Sequence, residues 1–231
     1  MIMDNQFETL KDECLAFTDQ FLTRPDDLSV DVDDYASGRF EHENVPCFTS
    51  ANGKMVMFNS DWLKRSLPDH ADDVRFFIFH ELRHVHQKYQ IAKQQSGEAT
   101  EECAETISVW DAEFRNYQTN YGDADSQNRN FAQEIEQDAN AYALALINMK
   151  YLGIDDGNFE FSLPEEAFEL ADTRSQEYYR TKPELKRYYD KRYRELTGKR
   201  ICEKKPERNE LCPCGSGKKF KQCCIGKNIY D

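Results

Sequence analysis

Phe79-His80-Glu81-Leu82-Arg83-His84 is the stretch on which the reading of this chain turns. On an α-helix, residues four apart sit about 40° apart around the axis, so His80 and His84 project from one face. Two imidazoles so placed can share one Zn²⁺, and Glu81 then lies close enough to handle the proton of a water on that metal. The chain has five histidines, and chance alone would give this pattern in about one such sequence in a hundred. Phe76, Phe77, Ile78 and Phe79 put apolar side chains on several sides of the helix, so the histidines sit where burial demands a reason for them. Pro68, Asp69, Asp72 and Asp73 open it, with the acids at the positive end of its dipole.

A second half of the site is expected downstream, in Glu134-Ile135-Glu136-Gln137-Asp138-Ala139-Asn140-Ala141-Tyr142-Ala143. This run lies in a helical stretch from about 127 to 152, with Gly153 as its C-cap. Phe131, Ile135, Tyr142, Leu146 and Met149 form an apolar stripe. Glu134, Asp138, Ala141 and Ala145 form a neighbouring one whose small residues permit close approach of another helix. A carboxylate on a buried stripe needs a partner, and a metal ion is a good one. Asp138, one turn on, is placed to orient an active-site histidine through its second ring nitrogen.

HExxH followed by Glu-x-x-x-Asp-Ala on a later helix resembles the gluzincin metallopeptidases over about residues 45–152. The resemblance implies a catalytic zinc held by His80, His84 and Glu134, with Glu81 as general base and Asp138 as the acid behind the ligands. Glu136 competes as third ligand; it points about 200° away on the same helix, and Glu134 is preferred for its four-residue spacing to Asp138. Arg83 and His86 depart from the family, which has an uncharged and an apolar residue at those places. Arg83 is expected to face solvent or pair with an acid. His86, about 240° from His80 around the helix, is not expected to be a ligand. Tyr142 is considered as a donor to the developing oxyanion but is left outside the site.

The flanks agree with a zincin-like layout. The runs 45–49 and 55–58, joined through Ser50-Ala51-Asn52-Gly53-Lys54, read as a hairpin with Asn-Gly in its turn. In zincins an edge strand above the active-site helix holds the substrate backbone, and this hairpin is the candidate. Phe7, Leu10, Cys14, Phe17 and Phe21 predict an N-terminal amphipathic helix. Further helices are expected over 98–117, 164–180 and 183–196, the last two opened by Pro164 and Pro183. The fold class is therefore α+β, mostly helical, with a short hairpin or small sheet.

Near the C-terminus, Cys212-Pro213-Cys214 and Cys223-Cys224 give C-x-C-x₈-C-C, with Gly215 and Gly217 allowing tight turns between the pairs. Four cysteines in this pattern can close a tetrahedral structural zinc site. So short a segment has no core of its own, and metal supplies most of its folding energy. The stretch 208–227 resembles the SEC-C motif, named for the tail of the bacterial Sec translocase ATPase, and the resemblance implies a docking module. Two zinc ions are expected in all.

The chain carries −13, yet residues 199–231 hold nine Lys or Arg against four acids, leaving −18 for residues 1–198. An acidic body argues against nucleic-acid binding there, while the basic knuckle suits an acidic protein, a ribosome or nucleic acid. No signal peptide or membrane span is read, and Cys14, Cys47, Cys103 and Cys202 are scattered and expected to be reduced, which together point to the cytoplasm. The expected organisation is a domain over 1–198 (core 45–152, helical extension 160–198), a linker over 199–210 and the zinc knuckle over 211–227. The leading expectation is a zinc peptidase acting on a protein or peptide. The alternative is a non-catalytic zinc-binding adaptor docking through its tail.

Overall fold

The computed structural model describes residues 2–67, 69–151, 163–199, 206–213 and 216–225. Its elements run α1 (Ile2–Thr18), β1 (Ser29–Asp33), β2 (Cys47–Thr49), β3 (Met55–Asn59), α2 (Ser60–Ser66), α3 (Ala71–Ser96), α4 (Ala104–Arg115), α5 (Ala124–Phe131), α6 (Glu134–Tyr151), α7 (Glu165–Thr181), α8 (Pro183–Thr197) and α9 (Phe220–Cys223). A mostly helical α+β architecture with one three-stranded sheet results. Pro68, Gly153 and Cys202, which figured in the sequence reading, lie outside the described residues, as does part of the 199–210 linker.

The expected hairpin is β2–β3, antiparallel, with Cys47 opposite Phe58 and Thr49 opposite Val56. Its turn is closed by Ser50 N donating to Met55 O (2.8 Å) and Gly53 N to Ser50 O (2.9 Å). Gly53 has φ +70°, and a Cβ there would come within 2.8 Å of Lys88 Cβ, so glycine lets the turn rest on α3. The sheet order β1-β3-β2 makes β2 an edge strand, lying beside α3. β1 pairs in parallel with β3, from Ser29 opposite Met55 to Asp33 opposite Asn59. Leu28-Ser29-Val30-Asp31-Val32-Asp33 alternates apolar and polar residues, the period-2 pattern of a half-buried strand, though the sequence expectation did not include it.

Asn59 links the sheet to the helices. Its Oδ1 caps α2 by accepting from Asp61 N (3.0 Å), while its amide donates to the carbonyls of Glu43 and Val45. α3 begins with Asp72 and Asp73 in its first turn and ends at Gly97 in the left-handed region. The helix expected over 127–152 is two: α5 stops at Phe131, and α6 restarts at Glu134, with Gln133 O accepting from Glu136 N and Gln137 N.

One core joins α1, the sheet, α3 and α6 with α7 and α8; it includes Phe17, Phe58, Phe79, Leu146, Tyr179 and Leu185. The expected helical extension is thus part of the main core. A smaller cluster of Ile91, Ile107, Trp110 and Ile135 fixes α4 between α3 and α6. α6 is buried almost all round from Ile135 to Met149, and α3 is buried over its middle turns. These two helices meet side by side and carry the site.

Candidate metal centre

His80 and His84 stand one turn apart on α3, both buried, with their rings 4.6 Å apart. Facing them from α6 is Glu136. His80 Nε2 lies 3.4 Å from Glu136 Oε2, and His84 Nε2 lies 3.3 Å from Glu136 Oε1. The three residues offer ligand atoms all within 4.8 Å of one another. Each ring's other nitrogen meets an amide: His80 Nδ1 is 2.9 Å from Asn140 Oδ1, and His84 Nδ1 is 2.8 Å from Gln87 Oε1. Gln87 has no freedom to turn its amide over, because its Nε2 donates to Ile135 O (3.2 Å) and to Asp138 Oδ2 (2.7 Å). Its oxygen must therefore accept, so His84 Nδ1 bears a proton, and in the neutral ring Nε2 presents a lone pair.

A lone pair aimed at a carboxylate needs a cation between them. Burial disfavours the charged imidazole, yet the Glu136 carboxylate still lifts the His84 pKa above its ordinary value. Burial likewise favours a neutral Glu136, but His84 and His80 hold its carboxyl well below the usual range. Two imidazole nitrogens and a carboxylate, each held by a further hydrogen bond, form a donor set suited to Zn²⁺. In a tetrahedral site with bonds of about 2.0–2.1 Å, donors stand about 3.3–3.4 Å apart, close to the separations between each Nε2 and its nearest Glu136 oxygen.

The third position corrects the sequence reading. Glu134, the expected ligand, is the first residue of α6 and turns away, its carboxylate forked by Arg174 of α7 through Nη1 (2.9 Å) and Nη2. The expected stripe needs one continuous amphipathic helix, whereas the chain breaks after Phe131 and α6 is buried on nearly every side, polar residues included. The signal that could have found Glu136 is Asn140, four residues on, the pair being polar in an Ala-rich run.

Asp138 is also placed differently from expectation. Its hydrogen bonds go to side chains other than those of His80 and His84. Its oxygens accept from Arg83 Nε (2.8 Å) and Nη2 (3.2 Å), from Gln87 Nε2 and from the Tyr178 hydroxyl. It thus steadies His84 at one remove, through Gln87. Despite burial, Arg83 keeps Asp138 ionised well below the ordinary carboxylate range. Arg83 is 1% exposed, stacks on the rings of Tyr142 (4.5 Å) and Trp110 (5.2 Å), and also reaches Glu102 (3.0 Å). His86 turns the other way, its Nδ1 donating to Thr23 O (2.9 Å). Tyr142 sits under Arg83, its ring centre 4.5 Å from the guanidinium carbon.

Glu81 is buried and faces the edge strand. Its Oε2 accepts from Thr49 Oγ1 (2.6 Å) and its Oε1 from Cys47 Sγ (3.4 Å). Burial, then Glu81 itself, pushes the Cys47 thiol well above its ordinary pKa, so it serves as a neutral donor. Lys88, with its pKa brought down to about 8 by burial, donates to the carbonyls of Thr49 and Ser50. Sequence reasoning also missed Tyr117, whose hydroxyl donates to Glu136 Oε1 (2.7 Å) and accepts from Asn130 Nδ2 (3.0 Å). No spacing rule links Tyr117 to α6, because a loop and α5 intervene.

The second site, built of cysteines, is described in part. Cys212, Cys223 and Cys224 bring their sulfurs within 4.8 Å of one another, around Phe220. Cys223 and Cys224 sulfurs are 3.5 Å apart, well beyond the roughly 2.05 Å of a disulfide. Cys214, the expected fourth ligand, lies outside the described residues. Cys212 N donates to Lys218 O (2.8 Å) and Phe220 N to Glu210 O (2.8 Å), folding the segment into a knuckle. Residues 208–225 match the SEC-C motif.

Curated relatives share a stretch of that length. The Uncharacterized protein YecA of Escherichia coli (strain K12) is 78% identical over 23 residues, 10% of this chain and 10% of that protein. The Protein translocase subunit SecA of Campylobacter fetus subsp. fetus (strain 82-40) is 82% identical over 22 residues, 10% of this chain and 3% of SecA. The same subunit of a Nitratiruptor species is 75% identical over 24 residues, again 10% of this chain and 3% of its own length. The chain thus spans a tenth or less of the length of these relatives. No solved structure matches. Among the described residues no helix is long and apolar enough to cross a membrane.

Proposed function

We propose that this chain is a zinc-dependent hydrolase that cleaves peptide bonds in the cytoplasm. His80, His84 and Glu136 would hold the zinc, Glu81 would act as general base, and the SEC-C knuckle would hold a second, structural zinc and dock a protein partner. The observation that carries the reading is the convergence of both histidine Nε2 atoms on one buried carboxylate, with Glu81 on the intervening turn. A closed structural site has no use for that glutamate. Zinc bound there would polarise a scissile carbonyl and lower the pKa of water to about 7.

The chain's own residues supply the rest. Glu81 takes the proton of the attacking water and passes it to the leaving amine. Thr49 and Cys47 fix both oxygens of that carboxylate, so it waits in one orientation. In antiparallel pairing the hydrogen-bonded residues alternate. Since Ser50 N bonds Met55 O and Asn59 N bonds Pro46 O, the backbone groups of Cys47 and Thr49 turn to the open edge. An extended substrate added there would lie along β2 beside Glu81. Gln87, Asn140 and Tyr117 keep the three ligands from turning away.

Glu81→Gln tests the reading. It removes the base and leaves His80, His84 and Glu136 untouched, so first-site zinc should persist while cleavage of a denatured-protein library falls by roughly 10²-fold or more. Wild-type protein that cleaves nothing, or a Glu81→Gln protein that cleaves equally well, would leave the adaptor reading in its place.

A further inference from the structure

A polar cavity lies on the other flank of α3. Arg83, His86, Tyr142, Lys182 and Glu184 line a cavity of about 270 Å³, with Glu101 and Glu102 at its side. This volume is just under the roughly 300–1,000 Å³ of sites for drug-sized ligands, so it suits a small metabolite. Two buried donors on these lining residues have no hydrogen-bond partner among the described residues: Arg83 Nη1 and the Tyr142 hydroxyl. Arg83 is otherwise fully used, its Nε and Nη2 spent on Asp138 and Glu102. Buried donors are nearly always satisfied in native structures, so two orphans on one polar cavity call for an acceptor. Phe21 and Leu22 add an apolar wall.

From this we infer that the cavity binds a free α-amino acid with an aliphatic side chain. Its carboxylate would accept from Arg83 Nη1 and Tyr142 OH. Its ammonium would face the carboxylates of Glu101 and Glu184, and its side chain would lie against Phe21 and Leu22. The guanidinium that receives the carboxylate is the one that anchors Asp138, and Asp138 holds Gln87, which holds His84. Occupancy is therefore felt at the metal ligands through a chain of four side chains. The inference needs the two sites but not peptidase activity.

The test uses the full-length, zinc-loaded protein and calorimetric titration with L-leucine. L-leucine amide, which lacks the carboxylate, and N-acetyl-L-leucine, which lacks the ammonium, serve as controls. L-leucine should bind and raise the melting temperature, and neither control should. Tyr142→Phe should weaken L-leucine binding at least tenfold while leaving the unliganded melting temperature unchanged or higher, because it deletes an unsatisfied buried hydroxyl. Glu184→Gln should weaken binding too. Saturating L-leucine should also change zinc affinity in a chelator competition, and zinc should change L-leucine affinity by the same factor. Failure of L-leucine to bind, equal binding of its amide, or unchanged affinity in Tyr142→Phe would overturn the site. Binding without any change in zinc affinity would overturn the coupling.

Discussion

Replacing Asp138 by Ala should unfold the protein more readily and loosen the metal at once, because one carboxylate serves both purposes. Asp138 is 2% exposed and takes two hydrogen bonds from Arg83, one from Gln87 and one from Tyr178. Without it Arg83 keeps only Glu102, which it shares with Lys182. Stranding one member of a buried ion pair costs about 3–5 kcal/mol. For a chain of this size that is a fall of roughly 6–20 °C in melting temperature. Gln87 also loses an acceptor, so its hold on His84 Nδ1 weakens, and zinc affinity should fall about 10–100-fold. Arg83→Met should cost less, since Asp138 would keep Gln87 and Tyr178 as donors. The double variant should recover about 1–3 kcal/mol relative to the sum, the mark of a direct interaction. Differential scanning calorimetry with chelator competition on all four proteins reads both effects. Additive stability losses, or an Asp138→Ala protein with wild-type zinc affinity, would refute the chain of contacts from Arg83 to His84.

Acid should destabilise the protein through His86. Burial, with Arg83 beside it, brings this imidazole down to about 3, against smaller opposing effects of Thr23 O and Glu102 and a like-signed one of Lys182. The folded form stays neutral while the unfolded chain takes up a proton below about 6.5, so stability falls as pH drops from there toward 3, by at most about 1.4 kcal/mol per unit. Urea unfolding should show a slope between pH 6.5 and 5 that is reduced in His86→Asn, which keeps a donor for Thr23 O; equal slopes would refute it. Thiol labelling at pH 8 should modify exposed Cys103 quickly and spare Cys14 and Cys47 until the chain unfolds. Burial lifts the Cys14 thiol to about 12 and Cys47 well above its ordinary value, and mass spectrometry finding Cys47 labelled as fast as Cys103 would contradict its place behind Glu81.

Much of the site was legible in the sequence because it depends on local spacing. His80 and His84 share a face through the helical repeat alone, and the Asn-Gly turn gave the hairpin that lies beside Glu81. What stayed hidden depends on contacts between distant elements. Whether Glu134 or Glu136 faces α3 rests on a helix break at 132–133 and on Arg174, forty residues away, which claims Glu134. Apolar periodicity could not settle it, because α6 is buried on nearly all sides and has no exposed face to set its phase. Arg83, at odds with an uncharged position in the resembled family, is the anchor of a buried network joining α3 and α6 to Glu102 and Lys182. Tyr117 was missed for the same reason: it carries no local pattern and is placed by its partner Glu136.

On the proposed reading, His80, His84 and Glu136 hold a metal distinct from that of the cysteine knuckle. Zinc content per chain, measured by elemental analysis on full-length protein and on its Glu136→Gln and Glu134→Gln variants, tests it most directly. Two zinc ions are expected in the wild type and in Glu134→Gln, and one in Glu136→Gln. One zinc in all three would leave only the knuckle occupied, and loss in Glu134→Gln instead of Glu136→Gln would mean that α6 presents its other face to the histidines.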